Sequence, residues 1–270
     1  MKRIVAEANG GLTVLSAFSD GIGAAMSIDL GMRCTMTEEK DQKNENEVIS
    51  MLMDRFGSDR NYGMKIESRI PAGYGLKSSS VYVLLIVSSF IRFEKIDLAD
   101  IDLLRLSADI SKKIGKSKTG AMDDLCQSLY GGFCMTDNNR NVIVKRRRVP
   151  EYYVAVSARG KGRLSSDINV PPGYRKSFRQ IEKMAYAGYM FEPMVINGFL
   201  YGAMLGMDME TVKMMAESSA LYSSQSGKGP AIFGIFSRQD QMETASRRIG
   251  KSVIKTRLSN DGLKVHEYED

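Results

Sequence analysis

The sequence predicts an α+β protein, and three observations carry that expectation. Apolar and polar residues alternate with a period of two in stretches before Pro71 and again between 133 and 158, the spacing of half-buried strands. A helical spacing governs 47–57, 99–115 and most of 173–222. The two kinds of segment do not take turns, so the βαβ series of a parallel sheet is not expected.

Taken in order, residues 3 to 8 read as a strand, and Gly10 and Gly11 are expected to break it. "LTVLSAF" is a second strand, "SDGIGA" a polar turn, and "MSIDLGMRCTMTE" a further, partly alternating strand. "EKDQKNENE" is a charged loop by composition. "EVISMLMDRFG" is a helix with Ile49, Leu52, Met53 and Phe56 on one face. "YGMKIESRI" is a strand that Pro71 stops. Ser79 to Phe93 is almost entirely apolar and too long for a strand, which makes it a helix buried on most sides despite its valines. "ADIDLLRLSADISKKIG" is an amphipathic helix ended by Gly115, "GKSKTG" a loop, and "AMDDLCQSLYG" a helix. After Gly131 and Gly132 the period returns to two, giving strands in "GFCMTD", "NVIVKRR" and "YYVAVSA". "YRKSFRQIEKMAYAG", "EPMVINGFLYGAMLG" and "METVKMMAESSALY" follow as helices. "GPAIFGIF" is a strand, "DQMETASRRIG" a helix, and "SVIKTRLS" and "GLKVHEY" are closing strands.

No repeat and no linker rich in Pro, Gly or Ser divides the chain. A soft boundary between Asn138 and Pro150 is expected, separating a phosphate-binding unit (1–150) from a second α+β unit (151–270), with termini that interpenetrate.

Composition excludes several chemistries. There are three cysteines, Cys34, Cys126 and Cys134, with no CxxC pair, and one histidine, His266, near the C-terminus. A structural zinc site and a serine–histidine triad are therefore not expected. The longest apolar run, "VYVLLIVSSFI", reaches only about half the length that a bilayer demands. "MKRIVAEANGG" lacks an apolar signal core, so the expected location is the cytoplasm. The formal charge of +6 suits solubility or an anionic partner. Its densest run, "VKRRRVP", reads as a solvated strand end, and no zinc finger or RNP-like pattern supports a nucleic-acid partner.

The most informative stretch is "IPAGYGLKSSSVYVLL", residues 70 to 85. One reading is that the serines cap a buried helix. The other is a phosphate cradle. Gly73 and Gly75 allow backbone dihedrals that other residues resist, so several N–H groups can face one anion. The first helical turn adds unpaired N–H groups and a positive field. Ser78, Ser79 and Ser80 add hydroxyls, and Lys77 adds a point charge. The stretch is neither a Walker A loop nor the dinucleotide GxGxxG fingerprint.

"PAGYGLKSSS" resembles the nucleotide loop of the GHMP kinases, P-x-x-x-G-L-G-S-S-A. Pro71, Gly75, Leu76, Ser78 and Ser79 fall on that pattern, and Ser80 stands where alanine is common. Lys77 replaces the customary glycine, the form associated with the archaeal-type shikimate kinase branch. "GIGAAMSIDLG" is similar to the family's first motif region, with Ser19 and Asp20 where relatives carry a Thr–Asp pair facing substrate. "SGKGPAIFGIF" is similar to the third motif, a glycine-rich turn with Gly227 and Gly229 beside the nucleotide loop. The resemblance implies the GHMP kinase fold, a mixed two-domain sandwich with a left-handed βαβ-type nucleotide loop region.

"KSKTGAMDDLCQSLYGG" holds two adjacent aspartates near a helix start. Helix capping alone accounts for such a pair. In galactokinase and mevalonate kinase the matching segment holds the catalytic aspartate. Counting back from the glycine pair selects Asp124, and counting from a G-x-M-D pattern selects Asp123. Asp124 is preferred, because a helix fixes spacing better than a loop does.

The resemblance implies transfer of the γ-phosphoryl group of ATP to the 3-hydroxyl of shikimate, a step toward chorismate and the aromatic amino acids. Pro71, Ala72, Gly73, Tyr74, Gly75, Leu76, Lys77, Ser78, Ser79 and Ser80 would hold the nucleotide, with Ser78 or Ser79 placing Mg²⁺. Asp124 or Asp123 would orient the hydroxyl and take its proton late, while Lys77 and Lys118 neutralise developing charge. Tyr74 would stack near the base or cover the loop. Shikimate's carboxylate calls for an arginine, and Arg159 and Arg33 are the candidates. The alternatives are another kinase of this architecture, acting on mevalonate, homoserine or a sugar, and a non-catalytic nucleic-acid-binding protein. A small-molecule partner is expected and a membrane or nucleic-acid partner is not. The sequence leaves the oligomeric state open, with a homodimer allowed.

Overall fold

In a computed structural model, residues 2–39, 46–162, 168–250 and 252–269 are described. The architecture is α+β, with ten strands in two antiparallel sheets and eight helices among the described residues.

The first strand, β1 (Lys2–Leu15), runs straight through the two glycines that were expected to break it. Its pairing with β2 (Ile22–Glu38) shifts register between Asn9 and Gly11. The reason is a close approach. A Cβ on Gly10 would lie 2.6 Å from the carbonyl oxygen of Leu76, and the Gly11 amide donates to that same oxygen at 3.3 Å. Glycine here admits the neighbouring loop to the strand and does not end it.

β2 is the spine of the larger sheet. After α1 (Glu47–Phe56), β3 (Tyr62–Ser68) pairs with the C-terminal half of β2. Three helices follow, α2 (Ser78–Phe93), α3 (Asp100–Lys113) and α4 (Met122–Tyr130). β4 (Phe133–Asp137) then pairs with the N-terminal half of β2, and β5 (Val142–Arg147) extends the edge. α2 is buried along nearly its whole length and packs against β1, β2, α1, α3 and α4. That all-round burial is why it carries apolar residues on every face, including the valines that argue locally for a strand.

The smaller sheet has the order β7-β8-β6-β9. Its strands are β6 (Tyr153–Ser157), β7 (Tyr222–Gln225), β8 (Ile232–Phe236) and β9 (Val253–Arg257). The intervening helices are α5 (Pro172–Ala187), α6 (Phe191–Leu205), α7 (Met209–Glu217) and α8 (Gln239–Ile249). The helix expected over 209–222 is shorter than its apolar spacing suggests. The Ser218 hydroxyl donates back to the Met214 carbonyl, and Ser219 takes a left-handed φ of 68°. Leu221 then bonds through its amide to Ile235, and the next residues form the edge strand β7.

The last strand, β10 (Lys264–Glu269), returns to the larger sheet beside β1. The sheets meet where Thr256 donates to the Asp29 carbonyl at 2.8 Å and Ile28 bridges Leu258. One large apolar core runs from Ile4 and Leu84 to Phe233 and Tyr201, and a small second one lies under α7 and α8. No helix among the described residues is long and apolar enough to cross a membrane.

Candidate phosphate and acceptor site

Gly73, Gly75 and Lys77 have φ of 82°, 78° and 73°. Left-handed residues at every second position curl the backbone into the kind of concavity that binds anions. Lys77 itself is the N-cap of α2 and makes no side-chain cap. Ser78, Ser79 and Ser80 therefore open the helix from inside its first turn and do not cap it, which decides against the simple capping reading. The start of α2 is further held by Leu76, fully buried, whose carbonyl reaches β1.

The glycine-rich turn at 226–231 packs directly on this loop. The Ser226 hydroxyl donates to the Gly75 carbonyl at 2.8 Å and accepts from the Thr13 amide at 3.1 Å. The Ala231 amide donates to the Tyr74 carbonyl at 3.3 Å. A Cβ on Gly75 would stand 2.4 Å from the Ser226 carbonyl oxygen, so no larger residue fits while the turn stays in place. Gly227 and Gly229 have φ of 54° and 66° in that turn. The Tyr74 hydroxyl donates to the Gly160 carbonyl at 2.9 Å, tying Pro71–Ala72–Gly73–Tyr74 to the chain after β6.

The loop forms one wall of a cleft. Thr13, Ser16, Ala17 and Phe18 at the end of β1 form another, and Lys116, Ser117, Thr119, Asp123 and Asp124 a third, with Lys228 at the rim. Lys77 Nζ lies 2.7 Å from Asp124 Oδ1 and donates to Thr13 Oγ1 at 2.6 Å. Side-chain exposures of 8% and 16% make this a largely desolvated ion pair that still faces the cleft. The Ser80 hydroxyl is 3.5 Å from the other Asp124 oxygen.

Asp123 differs from its neighbour. It is buried, and Asn138 Nδ2 donates to its Oδ1 at 2.9 Å. Burial, and then the adjacent Asp124 charge, push its pKa up to about 7, while Lys77 and the Asn138 bond pull the other way. Both aspartates sit in the first turn of α4, where the helix field favours negative charge. They diverge because consecutive helical residues point in different directions.

The other residues singled out by the sequence fall in different places. Lys118 donates to the Ile168 carbonyl at 3.2 Å, and it is Lys116 that lines the cleft. Ser19 donates to Glu182 at 3.4 Å, and Asp20 accepts from Arg179 at 2.9 Å, just beyond the cleft residues Ala17 and Phe18. Arg33 is paired with Glu7 at 2.5 Å on a separate hollow of the larger sheet, lined also by Asp29 and Arg69. Arg159 donates to Ser252 at 2.9 Å and to the Ile249 carbonyl at the end of α8. Neither arginine lines the cleft.

Sequence reasoning passed over Thr13, Lys116, Asn138, Arg179, Glu182 and Lys228. Lys228 had a signal, since it sits inside the glycine-rich turn. Thr13 had none, because it reads as one polar position in an alternating strand.

No cluster of three metal-ligating side chains occurs among the described residues. Mg²⁺ needs none when phosphate oxygens and water supply most ligands. The Ser78, Ser79 and Ser80 hydroxyls and the Asp124 carboxylate are the oxygens present for it beside the loop.

The GHMP kinases N terminal domain model matches residues 45–132. The chain is 41% identical to the shikimate kinase of Thermoplasma acidophilum over 100% of both proteins. It is 28% identical to the shikimate kinase of Pyrococcus furiosus, across 93% of this chain and 98% of that protein. Among solved structures, homoserine kinase from Cytophaga hutchinsonii superposes with a TM-score of 0.74 at 16% identity, over 98% of this chain and 97% of that one.

Proposed function

The chain belongs to the GHMP kinases, and within them to the archaeal shikimate kinases; from that premise we propose how it moves the γ-phosphoryl group of ATP onto shikimate. The 3-hydroxyl is the acceptor in this reading, and the product leads toward aromatic amino acids. The observation that carries the chemistry is the Lys77–Asp124 pair at the point where the phosphate loop becomes α2.

Phosphoryl transfer gains most from positioning and from cations placed where charge develops. The curled backbone of 73–77 and the first turn of α2 hold the nucleotide's phosphates. Lys77, Lys116 and Lys228 place positive charge around the same space. Mg²⁺ held by Ser78 or Ser79 and the phosphates supplies further charge neutralisation when bound. The acceptor hydroxyl donates to Asp124, which aims its oxygen at phosphorus. As the new O–P bond forms and the bond to the β-phosphate oxygen breaks, the hydroxyl proton passes to Asp124. Lys77, 2.7 Å from Asp124 Oδ1, holds that carboxylate in place beside the loop. Asp123, buried on Asn138, fixes the first turn of α4 and so the direction of Asp124.

The test is a coupled assay of ADP formation with Mg²⁺ and shikimate on the wild type, Asp123→Asn and Asp124→Asn. Asp124→Asn is expected to lower kcat by about 100-fold or more, and Asp123→Asn by clearly less. Equal losses, or the larger loss at Asp123, would reassign the base. Turnover of mevalonate or homoserine with none of shikimate would sink the substrate assignment and leave the kinase chemistry standing.

A further inference from the structure

Thr13 is a polar residue in an apolar place. It is 3% exposed, and its neighbours Leu12 and Val14 are fully buried. A valine would suit the strand and the core as well, since it has the same branched shape. A buried hydroxyl is costly unless it is hydrogen-bonded. The Thr13 hydroxyl oxygen accepts from Lys77 Nζ at 2.6 Å.

The backbone aims it there. The pairing of β1 with β2 shifts register between Thr13 and Leu15, and irregularities of this kind re-aim side chains beside sites. The Thr13 amide donates to the Ser226 hydroxyl at 3.1 Å, and that hydroxyl donates to the Gly75 carbonyl at 2.8 Å. A Cβ on Gly227 would lie 2.6 Å from Thr13 Oγ1, so the glycine-rich turn sets its backbone against the hydroxyl. Thr13 is thereby joined to the phosphate loop twice, through Ser226 to Gly75 and directly to Lys77.

A lysine needs such a clamp. Its ammonium rides on a flexible four-carbon stem and has no fixed direction of its own. It carries three N–H groups. Asp124 Oδ1 at 2.7 Å and Thr13 Oγ1 at 2.6 Å take two of them from two different walls of the cleft. Two fixed contacts on a tetrahedral nitrogen settle the direction of the third N–H.

Resting on the phosphoryl-transfer reading, we propose that Thr13 is a positioning residue: its hydroxyl, seated by Ser226 and Gly227, fixes the Lys77 ammonium so that the remaining N–H meets the phosphoryl group in transit. The 226–231 turn then acts on the reaction through Thr13, in addition to packing on the loop.

Two measurements compare the wild type with Thr13→Val, Thr13→Ala, Thr13→Ser, Lys77→Met and the double variant Thr13→Val/Lys77→Met. The first needs no substrate. Trace acetic anhydride labels the free protein, and peptide mass spectrometry compares Lys77 with the exposed Lys183. Labelling of Lys77 relative to Lys183 should rise severalfold in Thr13→Val and Thr13→Ala, because a released stem reaches the reagent. It should stay near wild type in Thr13→Ser.

The second measurement is steady-state kinetics with ATP, Mg²⁺ and shikimate. Thr13→Val should lower kcat by about tenfold, the scale of one hydrogen bond to a charged group. KM for shikimate should hold, and Thr13→Ser should keep most of the rate. Thr13→Ala carries the comparison if the valine methyl does not fit against Gly227. In the Lys77→Met background, Thr13→Val should cost nothing further, since a residue that acts through Lys77 has nothing left to act on. A merely structural Thr13, or one that touches the substrate itself, would instead give losses that multiply. Multiplying losses, full kcat in both Thr13→Val and Thr13→Ala, or unchanged labelling of Lys77 in both overturns the role of Thr13 and leaves the kinase reading standing. A wild type that forms no ADP with shikimate overturns the substrate reading, and the labelling of Lys77 then decides the positioning by itself.

Discussion

The loop before α2 and the turn after β1 are held by different materials. The loop, the proposed phosphate site, is backbone: left-handed residues at 73, 75 and 77, the first turn of α2, and a second glycine-rich turn packed on the first. The turn after β1 is held by side chains: Asp20 and Ser19 meet Arg179 and Glu182 of α5, about 160 residues away, through one ion pair and one hydrogen bond. Backbone sites favour particular residue types at particular spacings, because glycine adopts such dihedrals most readily and only glycine fits where the backbone is approached as closely as at Gly75. Side-chain sites demand only that charges converge in space, which leaves no local pattern. The loop should therefore be intolerant of small steric changes, and the turn after β1 should respond to charge.

Gly75→Ala tests the first half of that contrast and has the largest expected effect. The added Cβ meets the Ser226 carbonyl oxygen at 2.4 Å and takes a φ of 78° that alanine resists. Either the loop or the 226–231 turn must move. A displacement on the order of 1 Å in a positioning element costs about 100-fold in rate. KM for ATP should rise steeply and Tm should fall. An alanine variant with wild-type ATP affinity would mean that the backbone does not form the phosphate site.

Lys77→Met probes the ion pair that the loop makes with α4. Removing the cation leaves the Asp124 carboxylate beside Ser80 with no cation partner among the described residues. Turnover should fall by roughly tenfold or more, as expected when a charge-assisted contact to the reacting group is lost. Unchanged turnover would mean that the Lys77–Asp124 contact takes no part in the transfer.

Asp123 separates structure from chemistry through stability. Its folded pKa of about 7 lies above that of an unfolded aspartate. The folded state therefore holds more protons than the unfolded state across that interval, and this group's contribution to stability declines as pH rises through it. Glu182, also raised to about 7, contributes with the same sign. Asp123→Asn should make the fall of Tm between about pH 4 and pH 7 shallower, and Glu182→Gln should do so independently. A slope unchanged in both variants would show that neither carboxyl is held protonated by the fold.

The fold was legible wherever period and punctuation agreed. Helices α1, α3, α4 and α8 and strands β3, β6, β8 and β10 lie where their spacing puts them. The misreadings share one cause, a tertiary partner that outweighs a local signal. Gly10 and Gly11 look like a strand break, but they make room for Leu76. The apolar spacing after Glu217 looks helical, but β8 recruits the chain as an edge strand. The basic run at 144–150 reads as a solvated strand end or turn, and β5 does end there, with Arg146, Arg147 and Arg148 exposed. In the structure, Lys145 and Arg147 donate to the Tyr186 and Gly188 carbonyls at 2.6 and 3.2 Å, and Arg146 lies 3.4 Å over the Tyr130 ring. Lys145 and Arg147 thus complement the negative end of α5. The left-handed turn at 73–75 was legible because glycine marks such dihedrals, while the Arg179–Asp20 pair was not, because nothing near Arg179 in sequence marks an arginine that will meet Asp20.

The smallest effects are expected at the two arginines that chemistry alone had suggested for the substrate carboxylate. Arg33 is an exposed partner of Glu7 on a hollow of the larger sheet, and exposed pairs of this kind contribute little to stability. Arg159 spends its guanidinium on Ser252 and on the Ile249 carbonyl at the end of α8, so its loss should show in Tm before it shows in catalysis. Arg33→Gln and Arg159→Gln should both leave KM for shikimate where the wild type has it. The comparison sharpens if they do, because removing a cation then matters only when it faces the turn after β1. If either variant instead raises KM for shikimate, the acceptor lies on the side of the molecule that residue faces, away from the turn after β1.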